Sequence, residues 1–108
     1  MTTAEALKQA PKTDPALAPL DKTYQTAAAG LKKSPKSAKA KKTYVDAALA
    51  YAQACMADRA KLPPPVQYRS ALALYRGVLV VDPHNAESLS QKKTIEGVYK
   101  QMGMPIPK

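Results

Sequence analysis

The segment YRSALALYRGVLVVDPHNAES, residues 68–88, limits the choice of fold more than any other part of the chain. Its middle, Gly77 to Val81, looks like a short buried strand running into a turn at Asp82-Pro83. Its first half is spaced like an amphipathic helix: Tyr68, Leu72, Tyr75 and Leu79 step by i, i+4, i+7 and i+11, flanked by Ala71, Leu74 and Val78. The helical register continues unbroken through Gly77. A strand starting there would be about five residues long, and no second strand-like run exists to pair with it. A lone strand leaves backbone donors and acceptors unpaired, which folded chains avoid. The segment is therefore predicted to be helical to its end, with Gly77 tolerated at about 1 kcal/mol and allowing a close helix crossing.

The same spacing recurs upstream. Tyr44, Ala48, Tyr51 and Cys55 form a stripe widened by Ala47, Ala50 and Ala54, which predicts a helix from Ser37 to about Ala57. Leu20, Tyr24, Ala27, Ala28 and Leu31 predict another over residues 20–33, ended by Ser34-Pro35 because a residue before proline is pushed out of the α region. A last helix is expected from Ala86 to about Met102, with Asn85 as its N-cap, Gly103 as its C-cap, and Leu89, Ile95, Val98, Tyr99 and Met102 on its apolar side. The ten prolines fall at 11, 15 and 19, at 63 to 65, at 105 and 107, and singly at 35 and 83, so they punctuate helices. Pro65 suits the first turn of the helix that it opens. With abundant alanine, six Tyr and no Phe or Trp, the core is expected to be thin and made of closely packed helices. The expected organisation is a flexible arm over residues 1–19, with a short helix conceivable around Ala4–Ala10, then a helical domain over 20–102 and a tail over 103–108.

These residues resemble the tetratricopeptide repeat, whose first helix carries a large residue, two small ones and Tyr, and whose second carries Ala, an aromatic and Pro. Tyr44, Ala47, Ala48 and Tyr51 stand in for the first helix; Ala71, Tyr75, Val78 and Pro83 stand in for the second, with His84-Asn85 resembling the turn between repeats. The interval from Tyr51 to Ala71 exceeds the family's spacing by about eleven residues, and one full unit is visible. The resemblance implies an all-α fold in which about four helices form antiparallel helix-turn-helix repeats stacked right-handedly. Such units cannot bury both faces alone, so self-association, a larger assembly or a capping helix is expected to cover the open face. It further implies a concave surface lined by Lys42, Val45, Leu49 and Gln53 that would take a peptide segment.

The formal charge of +9 is unevenly spread. Lys32, Lys33, Lys36, Lys39, Lys41 and Lys42 lie in one run with no acid between them. Such a run either attracts an anionic partner or only solubilises the face on which it lies. Specific nucleic-acid readers add arginine and exposed aromatics, which are scarce here.

Chemistry is not evident. Cys55 is the only cysteine, so no disulfide can form within the chain and no cysteine cluster can hold a metal; on an apolar helix face it reads as a core residue. His84 is the only histidine and lies in a turn without further metal ligands. No Gly-x-Ser-x-Gly element, phosphate-cradling glycine loop or paired carboxylates are present. The N-terminus lacks the apolar core of a signal peptide and no run approaches a membrane span, so a cytoplasmic location is expected. The expected function is that of a non-catalytic protein–protein interaction module, an adaptor or assembly subunit with no cofactor and no metal. The partner is a protein or peptide, acidic if the lysine run takes part. The alternative is a nucleic-acid- or ribosome-associated protein that uses the Lys32–Lys42 patch.

Overall fold

Residues 68–81 are helical without interruption. The computed structural model describes residues 1–108 and contains five helices: α1 (Thr3–Thr13), α2 (Ala18–Lys33), α3 (Ala38–Met56), α4 (Pro64–Val81) and α5 (Ala86–Gln101), with a 3₁₀ turn at Pro15–Leu17 between the first two. The strand-like residues Val78 to Val81 form the last turn of α4, which closes where the Asp82 N–H donates to the Val78 carbonyl at 2.7 Å. Gly77 is needed there for contact: a Cβ at this position would overlap the Tyr44 hydroxyl on α3.

The helix ends follow from local chemistry. The Ser37 hydroxyl accepts the Ala40 N–H at 3.1 Å to start α3, and the Asn85 side chain accepts the Ser88 N–H at 2.9 Å to start α5. Gly103, at φ 68°, ends α5 in the left-handed region that favours glycine. Pro64 and Pro65 open α4, where a missing N–H leaves no bond unmade.

The helices pack antiparallel around α4, which is buried on more than one face through Val66, Ser70, Ala71, Leu72, Leu74, Tyr75 and Val78. α3, α1 and α5 all rest against it. Ala48, Ala52 and Ala71 are fully buried, and their small size lets α3 and α4 approach closely. α2 lies on the far side of α3. There the ring of Tyr24 sits 5.7 Å from that of Tyr44 and 5.8 Å from that of Tyr51, while the Tyr51 hydroxyl donates to Asp21 at 3.1 Å. Burial, aided by Asp21, pushes the Tyr51 phenol well above its ordinary range, and burial with a Tyr24 contact does the same for Tyr44.

The first nineteen residues are not the flexible arm that their composition suggests. A capping box starts α1: the Thr2 hydroxyl accepts the Glu5 N–H at 3.1 Å, and the Glu5 carboxylate accepts the Thr2 N–H at 2.8 Å. Those bonds hold the Glu5 carboxyl below its usual range. α1 docks on α4 through Thr3, Ala6 and Ala10. Asp14 then pins the chain, because its carboxylate accepts the Ala16 N–H at 3.2 Å and the Lys61 N–H at 3.0 Å, joining the 3₁₀ turn to the loop between α3 and α4.

The expected four-helix stack of repeats also needs correction. Five helices are present and no repeat is detected. In a right-handed array α1 would lie against α2, yet its main contact is with α4 and it barely touches α2. α1 therefore covers a face of α4 that a single helical pair would leave open. Residues 103–108 add a second cover. The Arg76 guanidinium donates to the Pro107 carbonyl at 2.8 Å and to Glu96 at 3.1 Å, and the Thr3 N–H donates to the Lys108 carbonyl at 2.9 Å. The tail thus ties α1, α4 and α5 together, and Pro107 is buried. With these covers supplied from within the chain, the coverage argument for self-association lapses. No helix is long and apolar enough to cross a membrane.

Candidate interaction surfaces

The lysine run occupies one end of the molecule. Lys32 and Lys33 close α2, Lys36 lies in the turn that follows, and Lys39, Lys41 and Lys42 ride the first turns of α3; all six are exposed. Lys42 is paired with Asp46 at 2.9 Å, one turn along the same exposed helix face. The other five form no ion pair.

One feature of this end departs from what folding alone would select. The first turn of α3 has no acidic residue and two lysines, whereas a helix N-terminus favours negative charge. Elsewhere the acids are drawn into internal partnerships. Asp14 binds backbone N–H groups, Asp21 takes the Tyr51 hydroxyl, Glu87 takes the Gln53 amide, and Glu96 takes Arg76 and Lys92. Burial raises the Glu96 carboxyl, but the Arg76 and Lys92 hydrogen bonds outweigh that and hold it below its usual range. The positive charge of the lysine end is left unbalanced.

Between α2 and α3 runs an open groove of roughly 520 Å³, with Lys22 and Lys39 on its walls and the side chains of Thr26 and Thr43 beside them. It is open because its floor is built from small residues, Ala27, Gly30 and Ala40, and a Cβ at Gly30 would meet nothing within 4 Å. Of the lysines singled out in sequence, only Lys39 lines it. Lys22 was missed, although it shares a helical stripe with Thr26 and Gly30 that the i, i+4, i+8 register of α2 could have revealed.

The stripe expected to line a concave peptide groove is less open than its spacing implies. Lys42 is engaged with Asp46, and Val45 and Leu49 are half-buried against the core. The Gln53 amide donates to both carboxylate oxygens of Glu87 on α5, at 2.9 and 3.2 Å. None of the larger grooves is lined by these four residues.

Two further candidates, Cys55 and His84, line none of these grooves. Cys55 is fully buried, and burial, then the charges of Asp14 and Asp21, push its thiol up to about 12. His84 is exposed in the 82–85 turn, where Asp82 accepts from the Asn85 amide at 3.3 Å. No group of three or more His, Cys, Asp or Glu side chains is placed to hold a metal ion. Comparison with protein families, with curated proteins and with solved structures found no match for this chain.

Proposed function

We propose that the protein is a non-catalytic interaction module built around one tetratricopeptide-like pair, α3 and α4, which docks an acidic segment of a partner protein on the lysine face of α2 and α3. The observation that carries this reading is the cluster of five exposed lysines without ion pairs, contiguous with the Lys22–Lys39 groove. Lys32 and Lys33 suit the C-terminal end of the α2 dipole, but Lys39 and Lys41 oppose the dipole at the start of α3, and all five unpaired cations repel one another. A polyanionic partner would relieve that repulsion on binding.

The chemistry of the face favours carboxylates over nucleic acid. It contains lysine and no arginine, so it lacks the planar fork used to read bases. Every tyrosine is buried or half-buried in the fold, leaving no exposed ring for base stacking. Support for the repeat-like pair comes from Tyr44 meeting Gly77 across α3 and α4, with Ala48 and Ala71 buried between the helices.

Fluorescence anisotropy with a labelled oligoglutamate and, in parallel, a single-stranded RNA tests the reading. Lys36, Lys39 and Lys41 changed together to Glu should weaken oligoglutamate binding at least about tenfold, since every lysine that no longer neutralises an anionic group takes its counterion release with it. RNA that binds more tightly than the peptide, with a steep salt dependence abolished in the variant, would transfer the face to nucleic acid. Unchanged peptide binding in the variant would refute any role for these lysines.

A further inference from the structure

At the other end of the molecule a second surface has different chemistry. α3 is 19 residues long, so at 1.5 Å per residue it sets its two ends roughly 28 Å apart. Beyond its far end, the start of α4 and the end of α5 enclose an open cleft of roughly 380 Å³, lined by Pro65, Tyr68, Arg69, Tyr99, Met102 and Met104 among others. Met102 and Met104 are among only five large hydrophobic side chains that the fold leaves exposed, together with Met1, Val80 and Leu89. Met1 adjoins the cleft, because its carbonyl accepts the Arg69 Nε–H at 3.1 Å. Three of the chain's four methionines therefore gather here, and methionine is the side chain that best adapts to an apolar partner.

Arg69 is the one charged side chain among the lining residues. Its guanidinium lies 5.3 Å from the centre of the Tyr99 ring, its Nε donates to Met1 and its Nη1 donates to the Pro65 carbonyl at 3.2 Å. Those contacts fix the group in place, while Nη2 takes no acceptor from the chain. A fixed guanidinium with an unused donor edge beside exposed apolar side chains fits a carboxylate that arrives next to an apolar group.

We infer that this cleft is a second docking site, for a partner-protein segment in which bulky apolar side chains are interleaved with carboxylates. A second copy of this chain fits poorly. It would bring the same net charge of +9, and a two-fold contact would set Arg69 against its own counterpart. The inference does not depend on the lysine face, which lies at the opposite end of α3 and contains no apolar side chain larger than alanine along its groove. If both surfaces act, the chain bridges two partners.

The test uses full-length protein labelled with ¹³C at the methionine methyls, titrated with three short amphipathic peptides: leucine with glutamate, leucine with lysine, and serine with glutamate. The leucine–glutamate peptide should shift the Met102 and Met104 signals saturably and leave Met56 unmoved. The other two should bind the cleft at least tenfold more weakly. Met102→Ser with Met104→Ser should reduce leucine–glutamate binding at least tenfold with an unchanged Tm, because both side chains are exposed. A leucine–lysine peptide that binds equally well would overturn the carboxylate requirement. An equal effect of the serine–glutamate peptide would overturn the apolar one. Absence of any shift, or methionine signals that move with protein concentration before peptide is added, would overturn the proposal outright.

Discussion

Replacing Gly77 by alanine should destabilise the fold, although the same change inside a helix ordinarily stabilises it. Alanine exceeds glycine in helix propensity by about 1 kcal/mol, and Gly77 lies well inside α4. A Cβ there would overlap the Tyr44 hydroxyl, and Tyr44 has little room to retreat: it is only 7% exposed and its ring lies 5.7 Å from Tyr24. Forcing extra volume into a packed site costs about 1–3 kcal/mol, so the net effect should run from neutral to about 2 kcal/mol of destabilisation. Gly30 and Gly97 are internal controls, since a Cβ at either meets nothing within 4 Å. Alanine at those two positions should raise Tm by several degrees, at about 4–8 °C per kcal/mol for a domain of this size. Tyr44→Phe removes the clashing oxygen, so in that background Gly77→Ala should recover its stabilising effect, giving a coupling of about 1–3 kcal/mol in a double-mutant cycle. Urea unfolding followed by circular dichroism measures all four corners. A Gly77→Ala protein as stabilised as Gly97→Ala, or a coupling near zero, would refute the close crossing of α3 and α4.

Alkali should unfold the protein abruptly. Tyr44, Tyr51 and Tyr75 ordinarily ionise near 10.0, and burial raises all three in the fold, Tyr75 to about 12 with help from Glu87. The native state thus holds protons that the unfolded chain releases, so their contribution to stability is full below pH 10 and falls as pH rises through the folded values. Three such groups lower stability by about 4 kcal/mol per pH unit, so the tyrosinate absorbance of these three should appear cooperatively with loss of helix; their ionisation in the still-helical protein would contradict the buried cluster. Cys55 should resist thiol reagents at pH 8 in the native protein and react on unfolding; prompt native reaction would place it at the surface. Ala10→Glu should destabilise by more than about 2 kcal/mol in urea, because it buries an unpaired charge in the contact of α1 with α4, whereas a mobile arm would accept it. Ser70→Ala should be neutral or stabilising by up to about 1 kcal/mol, since the Ser70 hydroxyl is buried without a hydrogen-bond partner.

Helices α2 to α5 were legible because each carries large side chains at helical spacing between strong punctuation. Asn85, Gly103 and the Ser34-Pro35 break mark ends that the structure places within two residues of expectation. The value of Gly77 could be anticipated as well, though only the structure shows that Tyr44 occupies the space. α1 was foreseen only as a short helix around Ala4–Ala10 within a flexible arm, because it buries only Thr3, Ala6 and Ala10, a set without a bulky residue, and because Pro11 and Pro15 argue against a longer helix. One signal was present and unread: Thr2 followed by Glu5 is a capping box at three-residue spacing. The route of residues 103–108 depends on Arg76 reaching a backbone carbonyl 31 positions away, and no local pattern encodes such a contact. Among the site residues, the lysine run is plain in sequence. The Lys22–Lys39 groove and the fixed guanidinium of Arg69 arise only when separate helices are brought together.

The most direct test of the central claim is an amide chemical-shift map of the ¹⁵N-labelled protein with oligoglutamate added at physiological salt. Saturable shifts are predicted at Lys22, Thr26, Gly30, Lys39 and Thr43 and through the turn between α2 and α3, with Val98 to Met104 unmoved. Shifts centred on any other face, or none at those residues, would contradict the assignment of the lysine face to an acidic partner.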